Sequence, residues 1–140
     1  MIGIDTNVLA RYLLRDDEEQ FKLAAELFSM ATEDLPIFVT HTTLIELNWL
    51  LLRTYKRTKE QFIAVLEKLI QMRQLVVENV AHVAAALHLF RMTNADFPDC
   101  MIMVATQQAG CTWTYSFDRK ACKAGMTELI GPKVLLPPKK

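Results

Sequence analysis

What this chain of 140 residues lacks first is a surplus of charge: sixteen Lys and Arg balance sixteen Asp and Glu. A protein that holds nucleic acid by bulk electrostatics carries a positive excess, so a polyanion here would have to meet a local patch or bound cations. Paired cysteines are also missing. Cys100, Cys111 and Cys122 are odd in number and too far apart for a Cys-x-x-Cys metal or redox pair, which points to reduced thiols in a cytoplasmic protein. No basic N-terminal segment leads into a long apolar run, so no secretory leader is expected. The longest apolar stretch, residues 47–52, is interrupted by Asn48 and ends at Arg53, well short of the roughly 20 residues a bilayer needs. His41, His82 and His88 form no i, i+4 pair and read as surface or part-buried side chains. Repeats, linkers and low-complexity stretches are absent before the short tail at 137–140.

What is present is an ordinary globular balance, 51% hydrophobic and 23% charged, on a chain long enough to bury a core without disulfides. Residues 1–5 form a short apolar run that stops at Asp5-Thr6-Asn7, the pattern of a buried strand ending at a functional edge. A helix is expected from about 8 to 14. A second follows the acidic opening at 16–19, with Phe21, Ala24, Ala25, Phe28 and Ala31 at helical spacing. Pro36 enters a second strand over 36–40. Thr43-x-x-Glu46 has the form of a capping box opening a helix to about 55, and Thr58 caps the next, with Phe62, Val65, Leu66 and Leu69 inward. Residues 75–77 read as a third strand. Val80, Val83, Ala84, Leu87 and Phe90 mark a further helix. Asp96 to Asp99 open another, which stops at Gly110. A strand over 112–116, a short helix over 118–124 and a fifth strand near 133–136 complete the pattern. Strands alternating with helices imply an α/β fold, a three-layer α/β/α domain over 1–136 with a short central parallel sheet of four to five strands.

In open α/β sheets, sites form beyond the carboxyl ends of the strands. Asp5 closes the first strand and Asp118 follows the fourth, while Glu46 and Asp99 fall near the starts of helices. Each has an ordinary alternative as a helix cap or first-turn acid. Together, four carboxylates on one rim would repel unless some are protonated or a cation is bound. An oxygen-only set without matched His or Cys ligands suits Mg2+ or Mn2+ better than Zn2+. Metal-assisted phosphodiester hydrolysis is the chemistry such a set would support.

Four stretches carry a family resemblance: Ile4-Asp5-Thr6-Asn7-Val8-Leu9, the Thr-rich strand exit leading to Glu46, Asp96-Phe97-Pro98-Asp99-Cys100-Met101-Ile102, and Ser116-Phe117-Asp118-Arg119. In order and spacing they resemble the acidic motifs of a PIN domain, and the compact layout resembles the VapC toxins of bacterial toxin–antitoxin pairs. The resemblance implies a metal-dependent endoribonuclease acting on tRNA or another structured RNA. Asp5, Glu46, Asp99 and Asp118 would be its catalytic and metal-binding residues, with Mg2+ or Mn2+ as cofactor. Asn7 and Ser116 would support the acids, and Asp96 would be an additional acid of supporting rank. The partners implied are a small antitoxin protein, RNA and a second copy of the chain. Pro98 stands where a small residue is usual, and Lys120 where a second acid commonly follows the Asp-Arg pair, which weakens Asp118 as a ligand.

Arg11 and Arg15, four apart after the first strand, are candidate RNA contacts. Arg53, Lys56, Arg57 and Lys59 form a second basic cluster suited to a solvated helix end. Trp49 and Trp113 read as core or dimer contacts, and Cys100 as a packing thiol. Two other readings stay open: a haloacid-dehalogenase-like phosphatase with Asp5 as nucleophile, and a catalytically silent PIN-like module that only binds RNA or protein.

Overall fold

The computed structural model describes residues 1–129. The expected fifth strand at 133–136 and the tail at 137–140 lie outside the described residues. The described residues fall into two compact units, the first Met1–Val80 and the second beginning at Ala81.

The first unit is built on three short parallel strands, β1 (Ile2–Gly3), β2 (Ile37–Val39) and β3 (Leu75–Val77), in the order β1-β2-β3. Ile2 pairs with Ile37, and Ile37 with Leu75. Pro36, at the entrance of β2, donates nothing to the ladder but its carbonyl accepts the Ile2 N–H at 2.9 Å, so proline costs no pairing there. Parallel strands need crossovers. The first crossover is α1 (Thr6–Leu14) with α2 (Glu18–Met30); the second runs through α3 (His41–Trp49) and α4 (Lys59–Gln71). Parallel pairing puts Asp5, Thr40 and Glu78, which follow the three strands, at one edge of this sheet.

Caps explain where the helices begin. Asp5, Asp17 and Thr40 hold extended backbone and accept the N–H of Val8, Gln20 and Thr43. Thr58 opens α4 through a reciprocal capping box with Gln61, a cap placed correctly by the sequence pattern. The box expected at Thr43 and Glu46 does not form. β2 ends at Val39, so Thr40 is already extended and takes the cap, leaving Thr43 inside the first turn and Glu46 farther along. α3 then widens into a π-helical turn, Leu50–Thr54, closed by the Tyr55 N–H to the Leu50 carbonyl at 3.1 Å. Leu9, Ile37, Val39, Leu44, Leu47, Phe62 and Leu66 are fully buried in this unit. In α2 the inward stripe is the one expected, centred on Ala24 and Phe28.

In the second unit, α5 (Val80–Met92) is followed by α6 (Phe97–Gln108), β4 (Tyr115–Ser116), α7 (Arg119–Ala124) and β5 (Thr127–Glu128). The buried stripe of α5 differs from the expected one: His82 and Ala86 are inside, while Val80 and Ala84 are exposed. His82 tolerates burial because its Nε2 donates to the Met101 carbonyl at 2.9 Å, satisfying the polar atom. Phe90 meets Phe97 edge-on at 5.8 Å. Met103, Ala121 and Met126 form a small core cluster. Cys100 is fully buried, as a packing thiol should be.

The α/β class is as expected, with five parallel strands among the described residues. The sheet is shorter than expected. β4 pairs only with β5, in a separate two-stranded ladder, and it spans two residues instead of five because only Tyr115 and Ser116 find ladder partners. None of the described helices is long and apolar enough to cross a membrane.

Candidate active site

The second unit gathers three acids at two helix starts. Asp96 is extended and occupies the N-cap position of α6, yet its side chain makes no capping bond. Pro98, in the first turn, has no N–H to satisfy, and Asp99 follows it in the same turn. Asp118 caps α7: its Oδ1 accepts the Ala121 N–H at 3.0 Å. Its own N–H donates to the Ser116 hydroxyl at 3.0 Å, so Ser116 holds the backbone that presents Asp118.

One carboxylate oxygen from each of Asp96, Asp99 and Asp118 lies within 4.8 Å of the other two. Asp96 and Asp118 are exposed and Asp99 is half-buried. Burial first, then the charges of Asp118 and Asp96, push the Asp99 carboxyl above its ordinary value. Three acids at this separation favour either a proton or a cation among them. The set is all oxygen, which fits a hard divalent ion. A capping carboxylate retains lone pairs for a ligand, so the N-cap role of Asp118 does not compete with ion binding. Asp96, expected in a supporting role, stands in the group on equal geometric terms.

The first unit carries the other two acids. Asp5 follows β1 and caps α1 through its Oδ1, which accepts the Val8 N–H at 3.0 Å; among the described residues its Oδ2 has no hydrogen bond. Glu46 is exposed on α3 and lines a cavity of about 490 Å³ together with Thr6 and Asn7. Asp5 lines a second cavity of about 350 Å³ with Asn7 and Arg11. Asn7 therefore stands on the wall of both. The helix carrying Glu46 is tied to the sheet edge by Glu78, whose Oε1 accepts the His41 N–H at 2.9 Å. The His41 Nε2 donates in turn to the Glu78 carbonyl at 2.6 Å. No sequence pattern marked Glu78, because its partner lies 37 residues away.

Arg11 and Arg15, the candidate RNA contacts, are both engaged. Arg11 reaches both Asp16 oxygens at 3.2 Å and Gln20 at 2.6 Å. Arg15 pairs with Glu18 at 3.0 Å and lies over the Phe21 ring. The Tyr55 hydroxyl also donates to Asp16 and, ahead of Arg11, holds that carboxyl below its ordinary value. Arg53, by contrast, makes no ion pair among the described residues and lies over Trp49. Trp49 is not a core residue: it is 43% exposed.

A strand-edge aspartate, a helical glutamate and a carboxylate cluster at two helix starts agree with one fold family. The family model described as PIN domain matches residues 2–125, and the chain belongs to that family. Among curated proteins it is similar to a VapC ribonuclease of Aquifex aeolicus (strain VF5), 25% identical over 122 residues, covering 87% of this chain and 90% of the relative. Family membership sets aside the haloacid-dehalogenase-like reading.

Proposed function

We propose that the chain is a metal-dependent endoribonuclease, the toxin of a toxin–antitoxin pair, hydrolysing phosphodiester bonds in tRNA or another structured RNA. The observation that carries this reading is the carboxylate group of Asp96, Asp99 and Asp118. The PIN match, which runs across both units and includes Asp5, Glu46, Asp99 and Asp118, supports treating the two units as one functional domain. The relative named VapC ribonuclease supports RNA as the substrate.

Asp99 and Asp118, with Asp96 beside them, are the residues that would hold Mg2+ or Mn2+, and Asp5 and Glu46 complete the catalytic set. Such an ion supplies a Lewis acid for a phosphoryl oxygen and lowers the pKa of bound water. The carboxylates orient the attacking water and accept its proton. Water adds to phosphorus, the bond to the leaving oxygen breaks, and that oxygen takes up a proton. Ser116 positions Asp118 through its backbone, and Asn7 lies against the cavities of Asp5 and Glu46. A small antitoxin, a homodimeric state and a cytoplasmic location belong to the same reading.

The test is brief induction in cells followed by sequencing of new RNA ends. Discrete cleavage sites in a structured RNA, absent with Asp99→Asn and suppressed by the product of a small adjacent reading frame, are expected. RNA ends unchanged by induction would overturn the proposal.

A further inference from the structure

The face of α3 opposite the core is not a polar face. Thr42, Ile45, Glu46 and Trp49 share it at i, i+3, i+4, i+7 spacing, and the π-helical turn adds Leu50, Arg53 and Thr54 to the same wall. A helix apolar on both sides covers something on each. The inner side meets the core through Leu44, Leu47 and Leu51. The outer side opens on the 490 Å³ cavity beside Glu46.

Two independent features define what that cavity can hold. Trp49 lines it and is 43% exposed, and the Arg53 guanidinium lies 5.8 Å from the ring centroid. Aromatic faces flanked by arginine are the common platform for unpaired bases. Secondly, the side chains of Thr6, Asn7, Thr42 and Thr54, all on the wall, make no hydrogen bond within the described residues. They are three hydroxyls and an amide, able to donate and accept toward a base edge. The place where Arg53 stands is anchored, since Tyr55, which closes the turn, donates to Asp16. π-helical turns inside α-helices recur at functional positions.

We propose that this cavity is a nucleobase subsite: one unstacked base of the RNA substrate stacks on Trp49, Arg53 meets that nucleotide's phosphate, and the Thr and Asn side chains read the base edge. This rests on the ribonuclease reading. Unstacked bases are also how proteins read RNA sequence, since the deep groove of an A-form duplex is closed to side chains. A second copy of the chain suits the wall less well. Interface centres are depleted of charge, whereas Glu46 and Arg53 both face this space.

The experiment follows Trp49 fluorescence in a Trp113→Phe background while bulk tRNA, whose loops carry unpaired bases, is added in EDTA, which prevents hydrolysis. Cleavage of the same RNA with Mg2+ and sedimentation without RNA accompany it. Quenching on RNA addition is expected. In the full chain, Trp49→Ala should weaken RNA affinity about 5- to 150-fold, the range for loss of one base stack, mainly through KM. Trp49→Phe should recover most of it. Arg53→Ala should lower the salt slope of binding by about one unit. Base preference at the cleavage site should relax in Trp49→Ala. If wild type cleaves RNA but Trp49→Ala matches it in KM and base preference, the subsite is refuted and the nuclease stands. A Trp49→Ala chain that changes sedimentation without changing RNA affinity refutes it too, assigning the face to a second copy. Wild type that neither binds nor cleaves RNA refutes both readings together.

Discussion

Replacing Asp99 by Asn separates what its carboxylate costs the fold from what it contributes to ion binding. Asp99 is half-buried, and burial together with Asp118 and Asp96 raises its carboxyl above the ordinary value, so its ionised form is unfavourable in the folded chain. Without cation, Asn removes one of three like charges held within 4.8 Å. The gain is on the scale of solvent-screened charge contacts, about 0.5 to 1 kcal/mol, or a few degrees in unfolding midpoint for a chain of this size. With Mn2+ the order reverses. At a concentration ten times its dissociation constant, an ion bound only to the folded state adds about 1.4 kcal/mol, and that increment belongs to wild type. Thermal unfolding of both proteins in EDTA and in Mn2+ measures all four values. A variant less stable than wild type in EDTA, or one gaining equally from Mn2+, would refute the reasoning.

Three further outcomes are expected. A group whose folded pKa is raised contributes stability below its unfolded pKa, near 3.9 for Asp, and loses it as pH climbs through the folded value. In EDTA, therefore, wild type should fall progressively behind Asp99→Asn between acid and neutral pH, while Mn2+ binding tightens over the same interval; chemical denaturation across pH reads the first and calorimetry the second. Asp118→Ala removes both the carboxylate and the α7 cap on Ala121, whereas Asp118→Ser keeps a cap. The two should differ by about 1 kcal/mol in EDTA and both should lose the Mn2+ increment. Phe62, fully buried on α4, should cost about 3 to 5 kcal/mol as Ala in urea unfolding; a loss below 1 kcal/mol would contradict its place in the core.

The strand-edge position of Asp5, the cap at Thr58 and the inward stripe of α2 were legible because each depends on a few neighbouring residues. Asp5 ends an apolar run, Thr58 meets Gln61 three residues on, and Ala24 and Phe28 are one helical turn apart. What was not legible depends on distant partners. His82 is buried because the Met101 carbonyl receives its ring N–H, and no residue near it in sequence announces that. The alternative that Glu46 closes a capping box with Thr43 fails because the helix starts three residues earlier, at a Thr40 cap directly after β2. The π-helical turn follows Leu-Leu-Leu without Pro or Gly to mark it, and it decides that Arg53 and Thr54 share a wall with Trp49. The four candidate acids were picked out by motif. Asp96 was expected as a supporting acid, and only the folded chain shows that it makes no capping bond and lies within 4.8 Å of Asp99 and Asp118.

The most direct test of the central claim is RNA cleavage by the purified chain, wild type and Asp99→Asn side by side, in EDTA and after restoring Mg2+ or Mn2+. Wild type should be silent in EDTA and cut once the divalent ion returns, while the variant stays at least about a hundredfold slower throughout. Cleavage that persists in EDTA, or an Asp99→Asn protein as fast as wild type, would contradict the account.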